Sequence, residues 1–225
     1  MRLLTTKKIS PHFKDRLIQH GMSLISHPFI QIESLPISIS KVQPILIFTS
    51  QNAVNIAFES VEIKKQIQGK NCFCIGEKTK SLLEEKGQKV IKMCQNSSDL
   101  AQFIAKNHEN DSFSFFCGKQ RRPEIETILH QKKIVLAIHE LYQTNLTPHH
   151  FQMHFDGVLF FSPSAVTSFF MENSWSDHMH GFCIGTTTAS ELAKYTPQFS
   201  TAKQPSESHL LLTIHHYYSQ HYAKK

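Results

Sequence analysis

The sequence predicts an α/β protein made of two related parallel-sheet domains. Three observations carry this. Short apolar runs alternate with stretches of helical period along most of the chain, which is the pattern of strands joined by crossover helices. A strand–turn–helix unit recurs in the second half. Finally, 225 residues with 40 % apolar content suffice for one large core or two smaller ones.

Taken in order, the apolar runs predict strands over 2–6, 29–38, 45–49, 71–75, 90–93, 113–117, 134–142, 157–161, 181–184 and 198–201. The stretches between them read as helices. Ser10-Pro11 supplies an N-cap and a first-turn proline, Phe13 and Leu17 share one face, and Gly21 closes the segment. Further apolar stripes are Val54, Ala57, Phe58 and Val61; Leu100, Phe103 and Ile104; Val166, Phe169 and Phe170; and Leu210, Ile214, Tyr217 and Tyr218. These faces are expected to be core.

The repeat decides the domain count. IFTSQNAVNIAF (47–58) aligns with LFFSPSAVTSFF (159–170), sharing Phe48/Phe160, Ser50/Ser162, Ala53/Ala165, Val54/Val166 and Phe58/Phe170. FCIGEKTKSLL (73–83) aligns with FCIGTTTASEL (182–192), with Phe-Cys-Ile-Gly identical and then Thr79/Thr188 and Ser81/Ser190. Two matches in the same order imply two copies of one fold. Each unit is an apolar strand, a Ser/Thr/Gly turn and an amphipathic helix. Such turns set hydroxyls and free N–H groups at a helix N-terminus on the C-terminal edge of a parallel sheet, where anions are favoured. Plain N-capping by Ser50, Ser162, Thr79 or Thr188 accounts for any single turn equally well; four matched turns point to paired anion sites facing a cleft.

With 24 Lys+Arg against 18 Asp+Glu the formal charge is +6. The cations fall in ones and twos (Lys7-Lys8, Lys64-Lys65, Arg121-Arg122, Lys132-Lys133, Lys224-Lys225), without a basic helix or aromatic interleaving. That weakens a nucleic-acid reading and leaves an anionic small substrate. The N-terminal MRLLTTKKIS lacks a signal-peptide apolar region, and the apolar runs are far below the roughly 20 residues of a membrane span. A cytoplasmic protein with no membrane partner is expected. The five cysteines (Cys72, Cys74, Cys94, Cys117, Cys183) are scattered and mostly lie in strand-like runs, as reduced buried thiols do.

Several chemistries lack their motifs. The chain has no G-x-G-x-x-G, no P-loop around Gly118-Lys119, no G-x-S-x-G elbow and no H-E-x-x-H. His150 and His154 stand four apart, and the tail adds His215, His216 and His221, but no carboxylate or cysteine partner accompanies them. They read as solvated surface histidines, with no metal site expected.

IFTSQNAV, FCIGEKTKSLLEEKG, FFCGKQRRPEIETIL, HELYQT, GVLFFSPSAVTSFF and CIGTTTASEL, in this order and spacing, resemble the uroporphyrinogen-III synthase family over essentially the whole chain. The resemblance implies two flavodoxin-like parallel-sheet domains joined by a two-stranded β-ladder. Residues 1–36 plus 148–225 would form one domain and 37–147 the other, with QIESLPISI and VLAIHELYQT as the ladder. It implies a lyase without metal or organic cofactor that cyclises hydroxymethylbilane to uroporphyrinogen III, inverting the last ring and losing water. It also implies a monomer, and allows a transient contact with the preceding pathway enzyme.

The site residues follow from the same resemblance. Tyr142 in HELYQT matches the family tyrosine and would be the proton donor; its bland alternative is a half-buried strand tyrosine with a satisfied hydroxyl. Substrate carboxylates would be held by Thr49, Ser50, Gly76, Thr79, Gly118 and Arg122, and in the other domain by Ser162, Ser164, Gly185, Thr187 and Thr188. Two departures stand out. Lys7 occupies a position where many members have an arginine, and so offers charge without a bidentate grip; Thr186 replaces a common proline. Two rivals share these features in part: a non-catalytic two-domain protein binding an anionic small ligand, which needs no proton donor, and a nucleic-acid binder, which needs one continuous basic stripe.

Overall fold

The computed structural model describes residues 1–36, 39 and 41–222. The end of the strand expected at 29–38, the domain start expected at Ile37, and the Lys224-Lys225 pair lie outside the described residues. The chain divides into two units, Met1–Gln31 with Asn145–Lys225 (unit 1) and Ile32–Thr144 (unit 2). No helix among the described residues is long and apolar enough to cross a membrane.

In unit 1 the elements are β1 (Arg2–Thr5), α1 (Pro11–Gln19), β2 (Ser23–Ser26), then β9 (Gly157–Phe160), α7 (Pro163–Phe170), β10 (His180–Cys183), α8 (Thr186–Leu192), β11 (Phe199–Thr201) and α9 (Glu207–Tyr222). Unit 2 contains β4 (Ile45–Phe48), α2 (Gln51–Glu59), α3 (Val61–Ile67), β5 (Asn71–Ile75), α4 (Glu77–Glu85), β6 (Lys89–Cys94), α5 (Ser97–Asn107), β7 (Ser112–Gly118), α6 (Glu124–Gln131) and most of β8 (Val135–Leu146). One further strand, β3 (Ile30–Ser34), carries the chain from unit 1 into unit 2, and β8 carries it back.

The unit 1 sheet has the order β11-β10-β9-β1-β2 and every pairing in it is parallel. Counted along the chain this is 2-1-3-4-5, the flavodoxin-like order. The unit 2 sheet has the order β3-β8-β7-β4-β5-β6, with β4 to β8 parallel throughout. The two sheets correspond strand for strand when unit 1 is counted from β9: β9, β10, β11, β1 and β2 take the places of β4, β5, β6, β7 and β8. Unit 1 is thus a circularly permuted copy of unit 2. The sequence repeat covers only the first two strands of each, because those are the strands that run in the same chain order.

Leu35 N–H donates to the Leu141 carbonyl at 2.9 Å and Thr147 N–H to the Phe29 carbonyl at 3.0 Å. Partner numbers fall as β3 advances, so β3 runs antiparallel to β8 and caps the edge of an otherwise parallel sheet.

Each sheet is covered on both faces. In unit 1, Leu3, Leu159 and Phe182 pack against α1 (Phe13, Leu17) and α9 (Leu210, Ile214, Tyr218), while Leu4, Val158 and Phe160 pack against α7 and α8. In unit 2, Leu46, Phe48 and Phe116 face α2 to α4, and Ile47, Phe113 and Phe115 face α5 and α6. Adjacent strand residues therefore feed opposite cores, which is why these strands read as unbroken apolar runs.

Local signals hold where the chemistry is local. Ser10 accepts from Phe13 N–H and Pro11 opens α1, as the sequence predicts. Four strands, β1, β4, β9 and β10, stop a residue short of the apolar run, since the last residue turns into the loop, whereas β6 and β7 end a residue beyond it. β8 runs beyond the expected 142 to Leu146, where β3 supplies a second partner. The strand β2 has no sequence counterpart among the expected elements. Four residues, SLIS, with only two apolar positions carry too little period, and β2 is held by its register against β1.

Candidate active site

The C-terminal edge of the unit 2 sheet gathers seven of the predicted positions. β4 delivers Thr49 and Ser50, β5 delivers Gly76 with Thr79 in the following helix, β7 ends at Gly118 with Arg122 beyond it, and β8 carries Tyr142. These four strands are consecutive neighbours in the order β8-β7-β4-β5. Strand order reverses between β4 and β7, with β5 and β6 laid down on one side and β7 and β8 on the other, which is the switch point at which open α/β sheets bind ligands.

Three of these residues touch. Ser50 is the N-cap of α2: Ala53 N–H donates to its Oγ at 3.1 Å, and the same oxygen lies 2.9 Å from Tyr142 Oη. Tyr142 is 8 % exposed, with its ring in the core that α2 and α4 cover. Gly118 supports that ring from the neighbouring strand. A Cβ there would sit 2.7 Å from Tyr142 Cε2 and Cζ and 3.0 Å from Oη, so only glycine fits. The register of β7 on β8 shifts between Cys117 and Gly118, bringing Gly118 opposite Tyr142 rather than Leu141. Burial holds the Tyr142 phenol above its ordinary pKa, opposed by hydrogen bonds with Ser50 and Asn52. The phenol therefore keeps its proton at neutral pH.

The loop after Gly118 is clamped by Arg121. Its guanidinium meets Glu126 through Nε at 2.5 Å and Nη2 at 3.2 Å, Glu140 at 2.6 Å, and the carbonyls of Gly118 and Lys119. Lys119 N–H returns to the Tyr142 carbonyl at 2.8 Å. Arg121 is thus committed to structure, while Arg122 has no ion pair among the described residues. Nothing in the dipeptide says which arginine turns inward. Asn52 and Arg121 are the contributors that sequence reasoning missed.

The α4 turn differs from the α2 turn. Gly76 caps α4 with φ +81 and no side-chain bond, a conformation that a side chain would strain. The first two N–H groups of α4, those of Glu77 and Lys78, have no intrahelical acceptor and no side-chain cap to occupy them. Gln51 Nε2 reaches the Lys78 carbonyl at 3.5 Å, joining the starts of α2 and α4. Thr79 is 5 % exposed, and its N–H bonds the Gly76 carbonyl, so its side chain packs beneath the turn.

Unit 1 holds the other six positions. Ser162 caps α7, accepting from Ala165 N–H at 3.2 Å, and Ser164 lies in the first turn. Gly185 caps α8 without a side-chain bond, Thr187 is exposed, and Thr188 is 2 % exposed beneath the helix. Lys7 follows β1: its carbonyl accepts from Thr5 Oγ1 and Ser26 Oγ, and its Nζ lies 4.6 Å from the centre of the Phe161 ring. The cysteines are all free thiols, and burial pushes those of Cys72, Cys74, Cys117 and Cys183 up to about 12, far from reactivity. His150 Nδ1 bonds the Glu172 carbonyl at 2.8 Å, and no group of three metal-ligating side chains is gathered among the described residues.

Comparison with known proteins places this geometry in a family. The family model described as HEM4, uroporphyrinogen-III synthase HemD, matches residues 11–211. A uroporphyrinogen-III synthetase crystal structure from Helicobacter pylori 26695 superposes with a TM-score of 0.72 at 20 % identity, covering 96 % of this chain and 100 % of that one. A mutant uroporphyrinogen III synthase from the extremely thermophilic bacterium Thermus thermophilus gives 0.71 at 12 % identity, covering 98 % and 99 %. At such identities these two likenesses speak for the fold. Curated protein sequences give no match. The family match spans nearly the whole chain and both units, and the chain belongs to the uroporphyrinogen-III synthase family.

Proposed function

We propose that this chain is a cofactor-free lyase that cyclises hydroxymethylbilane to uroporphyrinogen III, inverting the last ring with loss of water. Family membership supports the reaction, and the observation that carries the reading into chemistry is the buried, proton-bearing Tyr142 at the sheet edge beside Ser50. Departure of the substrate hydroxyl needs a proton. In this reading Tyr142 supplies it, the C–O bond breaks with its electron pair toward the departing water, and the pyrrole nitrogen lone pair closes the azafulvene. The substituted carbon of the last ring then attacks to form a spiro intermediate, which fragments and recloses in the inverted sense. The tyrosinate is reprotonated by the proton that the ring releases when it regains aromaticity.

The second task is to hold a flexible polyanion folded so that the spiro route outruns simple closure. Neutral helix starts suit this. The uncapped first turns of α4 and α8 offer N–H donors, Thr49, Ser162, Ser164 and Thr187 add hydroxyls at or next to helix starts, and Lys7 and Arg122 add charge. The buried Thr79 and Thr188 act in this reading by shaping the turn. We take β3 and β8 as the joining ladder, and the working protein as a cytoplasmic monomer without nucleic-acid or membrane partners; the ladder rests on their antiparallel pairing.

The test is to supply enzymatically generated hydroxymethylbilane, oxidise the product and separate the isomers by chromatography. Type III product at a rate above spontaneous closure is expected. Type I product alone overturns the proposal.

A further inference from the structure

Ser50 has a second bond that its capping role does not require. A serine that caps a helix accepts from an N–H two or three residues on, as Ser50 does from Ala53 and as Ser162 does from Ala165 in the repeated turn. Of these two caps, Ser50 alone also meets a phenol, with its Oγ 2.9 Å from Tyr142 Oη. The Oγ already accepts from Ala53, and it carries one proton of its own. That proton has Tyr142 Oη within reach.

We propose that Ser50 is a positioning residue for the proton donor: its hydroxyl donates to Tyr142 Oη, turning the phenol proton outward toward the substrate and holding the charge left on Oη once that proton has gone. This rests on Tyr142 being the donor, and it moves Ser50 out of the set of carboxylate ligands. The phenolate formed would sit at the N-terminus of the nine-residue helix α2, where the first-turn donors and the helix dipole favour negative charge. A buried phenol with no such partner would hold its proton too tightly to give it away. Burial does raise this phenol, and hydrogen bonds with Ser50 and Asn52 are what oppose it. Gly118 completes the arrangement, because its missing Cβ lets the ring lie close enough for Oη to reach Ser50.

The experiment compares Ser50→Ala, Ser50→Thr and Ser60→Ala. Ser60 caps α3, accepting from Ile63 N–H, so its alanine variant loses a cap of the same kind without touching Tyr142. Two readouts are taken: kcat and KM for cyclisation across pH, and the tyrosinate absorbance of Tyr142, isolated as the difference from Tyr142→Phe. Ser50→Ala should lower kcat by roughly tenfold with KM changed less than about twofold, and raise the Tyr142 titration midpoint by about one pH unit. Ser50→Thr should restore both. Ser60→Ala should alter neither. A Ser50→Ala variant that raises KM at constant kcat, or leaves the Tyr142 titration unmoved, overturns the proposal and returns Ser50 to the substrate contacts. If the titration moves while Tyr142→Phe leaves kcat unchanged, the Ser50–Tyr142 coupling stands and the role of Tyr142 as donor fails.

Discussion

The two units are one sheet design used twice, and they differ at one corner. In both, a serine follows the first repeated strand and caps a helix, and a glycine follows the second and leaves its helix uncapped. In unit 2 the two further strands, β7 and β8, bring Gly118 and Tyr142 to that serine. Their counterparts in unit 1 are β1 and β2. Leu159, the match of Ile47, pairs with Thr5 where Ile47 pairs with Phe115, so Lys7 and Lys8 stand where unit 2 has Cys117 and Gly118. β2 ends at Ser26, whereas β8 runs on through Tyr142 to Leu146. The shared part of the design is a pair of anion-friendly helix starts. The unshared part is the buried tyrosine beside the serine, and in the function we propose it divides the labour between a unit that binds and a unit that binds and reacts.

Tyr142→Phe attacks that asymmetry most directly. Removing one hydroxyl should lower kcat on the order of a hundredfold, within the usual range for general acid catalysis, while KM changes little; steady-state kinetics with isomer analysis measures it, and an unchanged kcat would erase the difference between the units. Gly118→Ala should come next. The added methyl meets a buried ring at 2.7 Å, and a displacement approaching about 1 Å should cost between about tenfold and a hundredfold in kcat without a comparable change in KM. An active Gly118→Ala enzyme would mean that the ring has room the packing denies.

Acid should separate the units by stability. Burial lowers the pKa of His180, the nearby His221 adding to it, to about 4, and lowers those of His27 and His215, all in unit 1; in unit 2 only His139 is so lowered among the described residues. Asn71 stands in unit 2 where His180 stands in unit 1, two positions before the shared Phe-Cys-Ile-Gly. Each of these histidines is held neutral in the fold and takes up a proton near pH 6.5 when unfolded. Stability is therefore flat above that pH and falls as pH drops from about 6.5 toward 4. For the half-buried His180 the loss should be about 1–2 kcal/mol. Trp175, the single tryptophan, lies in unit 1, so its fluorescence in urea titrations at about pH 7 and about pH 4.5 reports that unit. An unshifted midpoint would remove the distinction.

The smallest effect expected is from Ser162→Ala. It removes the unit 1 cap and should destabilise by about 1 kcal/mol in the same titration, with kcat nearly unchanged and any kinetic cost in KM. A drop in kcat would give unit 1 a share in the chemistry.

Features set by neighbours in sequence were legible. The Ser10, Ser50 and Ser162 caps, the core stripes and the repeated strand–turn–helix units are written within short stretches of chain, except that Val61, expected on the stripe of Val54, Ala57 and Phe58, is 83 % exposed because α2 ends at Glu59 and Ser60 starts a new helix. The permuted correspondence was not, because β1 and β2 share a place in the sheet but no detectable similarity with β7 and β8. Nor was the contact of Ser50 with Tyr142, 92 residues apart, which depends on strand order and on the register shift at Gly118. The resemblance to the family named both residues but gave them separate duties. Arg121 and Arg122 show the same limit: adjacent and chemically identical, they are told apart only by Glu126 and Glu140.

The permutation also bears on how the protein is made. Unit 2 is one continuous stretch, and its parallel strands find partners as the chain lengthens. In unit 1 the interior strand β1 must wait for the central strand β9, and Thr6 meets the Leu159 carbonyl only once the chain has grown 153 positions further. Until then a β1–α1–β2 fragment exposes a bare strand edge and the apolar faces of Leu3 and Leu4, a surface open to mispairing with other nascent chains. Unit 2 should therefore assemble first, and closing the β1–β9 pair, with its large loop entropy, should be the slow step of folding.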